Sequence, residues 1–244
     1  GEKSAKRRVF GYKQMTKEAI DSMQAAKSEQ IEENLTESIK LAQELQQKMA
    51  ELKQESVSQN MSSWERSQLL KDIEHKQDRL RDLLQKNEEL SKEQTQMNEQ
   101  VTEKDKELLK KQKQLEELMS QLMDDELKEL LDRLAKLREE FDQEEFNRMQ
   151  EEMKYDYKNL EEQLDRNLEL MKKLQIEQEW EQAAAKLEEL ARKQEKLAKD
   201  EMTQAEEQQA QEEIQEEFEK AKEALEETLK KNKELQYPHK LDDM

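Results

Sequence analysis

The sequence predicts an all-α protein, an elongated helical bundle of long antiparallel coiled-coil hairpins, on three observations. The only glycines are Gly1 and Gly11 and the only proline is Pro238, so the chain from Tyr12 to Tyr237 lacks the two strongest helix breakers. Charged residues make up 43% and hydrophobic residues 32%, which supplies a thin apolar stripe but no thick globular core. Apolar residues recur at three- and four-residue steps over most of the length, which is the period of a helix face and argues against disorder. One straight helix of that length would run roughly 340 Å. Capped interruptions divide the pattern, however, and short breaks between matched helices favour hairpins over a single parallel rod.

Residues 1–14 (GEKSAKRRVFGYKQ) stand apart and are expected to be a linker or the last strand of a preceding β domain. Lys3, Lys6, Arg7 and Arg8 form a basic cluster, followed by Val9, Phe10 and Tyr12 around Gly11. Four charges at a terminus read first as solvated, with contact to a polyanion as the alternative.

A helical hairpin is expected over 15–101. Its first helix starts near Met15 or Thr16 and carries Ile20, Met23, Ile31, Leu35, Ala42, Leu45, Met49 and Leu52 in its seam. The pattern fails near 56–62, where Ser56, Ser58, Asn60, Ser62 and Ser63 cluster. Ser62 with Glu65 reads as a capping box that starts the second helix. That helix has the cleanest heptads, through Ile73, Leu80, Leu83, Asn87, Leu90, Gln94, Met97 and Val101. Asn87 falls in the seam, where an amide costs stability and penalises wrong registers.

Long coiled-coil helices are expected over 102–200, with breaks near 123 and 141. Thr102 with Asp105 and Asp142 with Glu145 are further box-like starts. The stripe runs through Leu115, Leu118, Met119 and Leu122, resumes at Leu127, and continues from Phe146 through Met171, Leu174, Trp180, Ala184 and Leu187 to Leu197. Residues 199–213 hold little apolar material and read as a joint. A C-terminal helix over 201–236 follows, capped by Thr203 and Glu206, with Ile214, Phe218, Ala221, Leu225, Thr228 and Leu235 in its seam. Pro238 pushes Tyr237 away from helix, and 237–244 are expected to form a flexible tail.

The chemistry that the chain excludes is broad. It has no cysteine, which removes disulfides, zinc–thiolate clusters and thiol catalysis. Two glycines, neither in a phosphate-cradling context, leave no nucleotide-binding loop. His75 follows Asp72 by three residues, an echo of a di-iron motif that here lacks its companions. An exposed helical histidine is the simpler reading, and His239 lies in the tail. Carboxylate pairs such as Glu32/Glu33, Asp124/Asp125, Glu139/Glu140 and Glu151/Glu152 lack the burial and cleft that catalysis needs. They read as solvated faces, with loose Ca²⁺ binding the alternative. A net charge of −19 opposes binding to nucleic acid and to anionic lipid. No apolar run approaches the roughly 20 residues of a membrane span, and no signal peptide is visible. No catalytic residue, cofactor, metal or small-molecule substrate is expected.

Partner-binding candidates are Trp64, Trp180, Met149 and Met153. Tryptophan anchors interfaces, and methionine lines adaptable grooves as well as cores. The structural alternative is that each tryptophan covers a helix junction or a bundle end and that the 12 methionines fill seams.

Several stretches carry a family likeness: VFGYKQMT, SWERSQLLKDIEHKQDRLRDLLQKNEEL, DDELKELLDRLAKL, LDRNLELMKKLQIEQEWEQAAAKLEELARKQEKLA and KKNKELQYPHKLDDM. In order and content they resemble the coiled-coil region of large membrane-anchored Bacteroidota proteins of the domain-of-unknown-function 4175 family. The resemblance covers nearly the whole chain, and its most distinctive piece is Leu164–Gln178. It implies membrane helices and immunoglobulin-like β domains preceding Gly1, with VFGY as the closing strand of the last one. It also implies a place on the periplasmic side of a bacterial inner membrane, the cytoplasm being the alternative. The family brings no catalytic residues to carry over.

The function expected is a non-enzymatic scaffolding coiled coil that mediates protein–protein assembly, with other proteins or with itself, membrane contact coming only from segments outside this chain. The alternative is a holdase-like or envelope-assembly factor that grips apolar client segments in a methionine-rich groove.

Overall fold

A computed structural model of the chain describes residues 17–58, 61–101, 106–122, 143–199 and 203–239. The described residues form five helices and no strand: α1 (Lys17–Ser58), α2 (Ser63–Val101), α3 (Lys106–Gln121), α4 (Gln143–Leu197) and α5 (Gln204–Glu234). The segment 1–14, the breaks near 123 and 141, and the box-like starts at Thr102 and Asp142 lie outside the described residues.

Local capping fixes two helix starts. Ser62 Oγ accepts from the Glu65 backbone N–H at 3.2 Å while the Ser62 N–H donates back to the Glu65 carboxylate at 2.8 Å. Thr203 and Glu206 make the same reciprocal pair at the start of α5. Each box satisfies amides that a helix start leaves without intrahelical partners. The Ser62 hydrogen bonds hold the Glu65 carboxyl below its ordinary pKa, and those from Thr203 do the same for Glu206.

Cross-helix pairs define the register. Asn34–Asn87, Glu37–Arg79, Glu44–Lys76 and Lys48–Asp72 join α1 to α2, one index rising as the other falls, so the two form an antiparallel hairpin. Gln43–Glu161 and Glu32–Lys172 make α1 and α4 antiparallel in the same way. α3 turns back along α2 through Asn98–Gln112 and also touches α4. α1 and α3 each flank both α2 and α4, giving an up-down-up-down bundle.

The core follows the seam, but widens. Ile31, Leu35, Ala42, Leu45, Met49, Leu52, Ile73, Leu80, Leu83, Leu115, Met119, Leu122, Leu160, Leu164, Met171 and Leu174 are all buried in one cluster. A four-helix bundle covers more of each helix than a two-stranded seam does, so Leu41, Leu69, Leu70, Leu84 and Tyr157 join it from flanking positions. Three seam expectations fail: Met23, Leu118 and Phe218 are 42%, 38% and 46% exposed. On α4 the buried position near the joint is Ala183, one residue before the expected Ala184, which is exposed.

Polar side chains lie inside this core in matched pairs. Asn34 Nδ2 donates to Asn87 Oδ1 at 2.8 Å, Gln94 Nε2 to Ser28 Oγ at 2.8 Å, and Gln77 Nε2 to the Tyr157 hydroxyl at 2.7 Å. Asn98 links Gln24 to Gln112, so that α1, α2 and α3 share one amide chain. A one-turn slip along any of these helices would strand several buried amides, each costing about 1–3 kcal/mol. The amides therefore penalise wrong registers that leucine alone tolerates.

α4 runs past the start of α1, and among the described helices α5 packs on α4 and on no other. Their antiparallel register is set by Lys193–Glu217, Gln194–Gln211 and Lys231–Glu179. Ile176, Ala183, Leu190 and Leu197 of α4 and Ala221 and Leu235 at the end of the chain are buried but stand outside the main cluster. This two-helix arm is a second, thinner packing unit.

Candidate functional site

A polar cavity among Ser28, Gln94, Thr95, Gln112, Met171 and Leu174 measures about 10 Å³, room for about one water. Among the described residues no group of three or more His, Cys, Asp or Glu side chains is placed to hold a metal ion. His75 is exposed, and Asp72 pairs with Lys48 at 2.7 Å.

Two surfaces stand out among the described residues. The first is the junction where the end of α5 returns to the middle of α4. Glu177 is buried on α4; it accepts from Lys111 Nζ of α3 at 2.6 Å and lies 3.6 Å from His239 Nε2. Glu179, two residues on and so on the opposite side of α4, holds Lys231 at 2.7 Å and the Thr228 hydroxyl at 3.1 Å. Asn232 donates to the His239 carbonyl at 3.1 Å and accepts from its N–H at 2.8 Å. Glu169 accepts from the Tyr237 N–H at 3.2 Å, and Lys173 stands 5.5 Å from the Tyr237 ring centre. Residues 237–239 are thus pinned, in place of the flexible tail expected from Tyr237 onward. Pro238 ends the helix, and the amides freed by that end find side-chain partners. Residues 240–244 lie outside the described residues.

The second surface is the arm. Phe218 is 46% exposed, and Ile214, Leu225 and Leu229 on the same helix are half-buried. One neighbouring helix cannot cover a stripe that three would. Lys186 and Lys193 both reach Glu217, and these two lysines hold its carboxyl below its ordinary pKa.

The two tryptophans among the partner-binding candidates do not converge. Trp64 is 70% exposed at the start of α2, at one end of the bundle. Trp180 is half-buried on α4, across from the beginning of α1. The α1–α4 register puts the two tryptophans at opposite ends of the bundle, about 50 Å apart along a helix. Met149 and Met153 lie on α4 at positions whose side chains fall outside the described residues. Met49, Met119 and Met171 are buried.

Sequence reasoning missed Glu177, Asn232 and His239. Glu177 is one more glutamate in a glutamate-rich helix, and its burial follows from α3 and His239 packing over it. A signal for the inner amides did exist. Gln77 stands four residues after Ile73 and three before Leu80, a seam position filled by a polar side chain.

Comparison with protein-family models, curated proteins and solved structures finds no match for this chain. Among the described residues no helix is long and apolar enough to cross a membrane.

Proposed function

We propose that this chain is a non-enzymatic scaffold, a rigid helical spacer that presents a two-helix arm for protein–protein assembly. The observation that carries the reading is the division of the chain into two packing units. The bundle is locked by buried amides, while the arm leaves an apolar stripe with Phe218 half exposed. The polar cavity in the bundle has room for about one water, which supports a packing role for the buried amides around it. The likeness to membrane-anchored envelope proteins supports a place on the periplasmic side of a bacterial inner membrane, with the anchor on other segments of the polypeptide. The holdase-like reading draws less support, because Met49, Met119 and Met171 are spent on core packing. Proximity labelling from a tag beside the arm tests the reading: a scaffold marks a small fixed set of proteins, whereas a holdase marks many unfolded ones. A set that changes wholesale with heat shock would count against scaffolding.

A further inference from the structure

We propose that α5 is a releasable cover, one that lifts from α4 as a unit while the bundle stays folded and that is held shut by a polar clasp at its C-terminal end. Release is a property of the arm itself and does not depend on the arm serving assembly. The cover lies on one face of α4. Glu179, Lys186 and Lys193 of α4 bond to Thr228, Lys231 and Glu217 of α5. Ala183, Leu190 and Leu197 alternate with them along α4 at steps of four and three residues, which puts all six on one side of the helix. These three apolar side chains are buried, and Leu197 lines one cleft with Ala210 and Ile214 of α5. Closed, α5 withholds an apolar stripe of α4 from water.

Few apolar contacts hold the cover down. The buried side chains of α5 are Ala221, Thr228 and Asn232, with Leu235 at its end. Two of the four are polar and one is small. α1, by contrast, buries Ile31, Leu35, Leu45, Met49 and Leu52 in the bundle core. Apolar burial is what makes a helix costly to detach, so α5 sits at the low-stability end of the molecule and opens before the bundle does. The remaining hold is polar. The pairs from Lys186 and Lys193 to Glu217 are more than a third exposed on both partners, and exposed pairs hold weakly. The clasp at the other end is more enclosed. Asn232 grips the His239 backbone through both its N–H and its carbonyl. Glu169 of α4 accepts from the Gln236 and Tyr237 N–H groups, and Glu177 of α4 stands beside the His239 ring. The turn after α5 thereby ties the cover to α4. These bonds are directional and act together, so losing one loosens the whole clasp.

The chain has no cysteine, so a single introduced one reports its own exposure. Ala221→Cys places a thiol under the cover and Ala42→Cys places one in the bundle core, both at buried positions. Labelling of the full chain with Ellman's reagent, in rising urea below the unfolding transition, measures how often each is bared. Ala221→Cys is expected to react about a hundredfold faster than Ala42→Cys, at a rate that climbs with urea because a whole helix exposes surface. Adding Asn232→Ala is expected to speed Ala221→Cys about tenfold, the effect of losing a buried polar pair, and to leave Ala42→Cys unchanged. Equal rates for the two thiols overturn the proposal, as does an Ala221→Cys rate indifferent to urea or to Asn232→Ala. An Asn232→Ala variant that bares Ala42→Cys to the same degree overturns it too, because the clasp would then belong to the bundle. A cover that never lifts leaves the fixed set of proximity-labelled neighbours, and with it the scaffold reading, untouched.

Discussion

Truncating Asn34 is expected to cost more than truncating Asn87, although the two make the same hydrogen bond. The bond runs from Asn34 Nδ2 to Asn87 Oδ1 at 2.8 Å inside the core, with Asn87 fully buried and Asn34 8% exposed. Asn87 Nδ2 is itself buried with no partner among the described residues. Asn34→Ala strips the acceptor's one donor and leaves the whole Asn87 amide unpaired, a loss of about 1–3 kcal/mol. Asn87→Ala removes the orphaned N–H₂ along with the acceptor and leaves only Asn34, which keeps slight access to water. Its cost is expected near the low end, about 1 kcal/mol. The double variant closes a cycle whose coupling energy is expected at about 0.5–1.5 kcal/mol. Urea denaturation followed by circular dichroism at 222 nm measures all four proteins. A coupling energy of zero, or Asn87→Ala costing more than Asn34→Ala, would refute the register from which these values are reasoned.

Tyr157→Phe is expected to destabilise the bundle by about 1–2 kcal/mol, because it removes the acceptor of the buried Gln77 amide; urea midpoints check it, and an unchanged midpoint would show that α2 and α4 do not meet at this height. Lys111→Met leaves the buried Glu177 with His239 as its remaining ionisable neighbour. Lys111 is itself one-third exposed, so the cost is expected at about 1–2 kcal/mol, below that of breaking a fully buried pair; hydrogen exchange should show the loss at the end of α5 rather than in α1. The caps predict a pH dependence. The folded-state pKa of Glu206 lies below its ordinary value of 4.5 because it accepts from Thr203, so its contribution is present above that value and is lost as pH falls through the depressed one. Glu206→Gln is therefore expected to lower stability at pH 7 and to make no difference at pH 2.5, by thermal melts of both proteins; an equal gap at both pH values would rule out the charged cap. Asp165 carries the opposite sign, its carboxyl held above the ordinary value by burial and by Glu161, so Asp165→Asn is expected to raise stability at pH 7.

The helices were legible because their signals are local. A stretch from Tyr12 to Tyr237 without glycine or proline, two capping boxes and leucines at heptad steps fix the helical class, where α2 and α5 begin and which face turns inward. What was not legible depends on how many helices surround a given face. Leu84 and Tyr157 are buried because a third and fourth helix cover positions beside the two-stranded seam, and Phe218 is exposed where, among the described helices, α5 packs on α4 alone. The inner amides Gln24, Asn98 and Gln112 look like surface residues until three helices bring them together. The pinning of His239 likewise required knowing that Glu177 and Asn232 lie within its reach.

Small-angle X-ray scattering of dilute protein tests the central claim most directly. α4 alone has 55 residues and is about 80 Å long, so an extended bundle with an arm is expected to give a radius of gyration of about 25 Å or more. A compact globule of this chain length would give about 18 Å. A value near the smaller figure, with a bell-shaped pair-distance distribution, would contradict a scaffold made of thin helical layers.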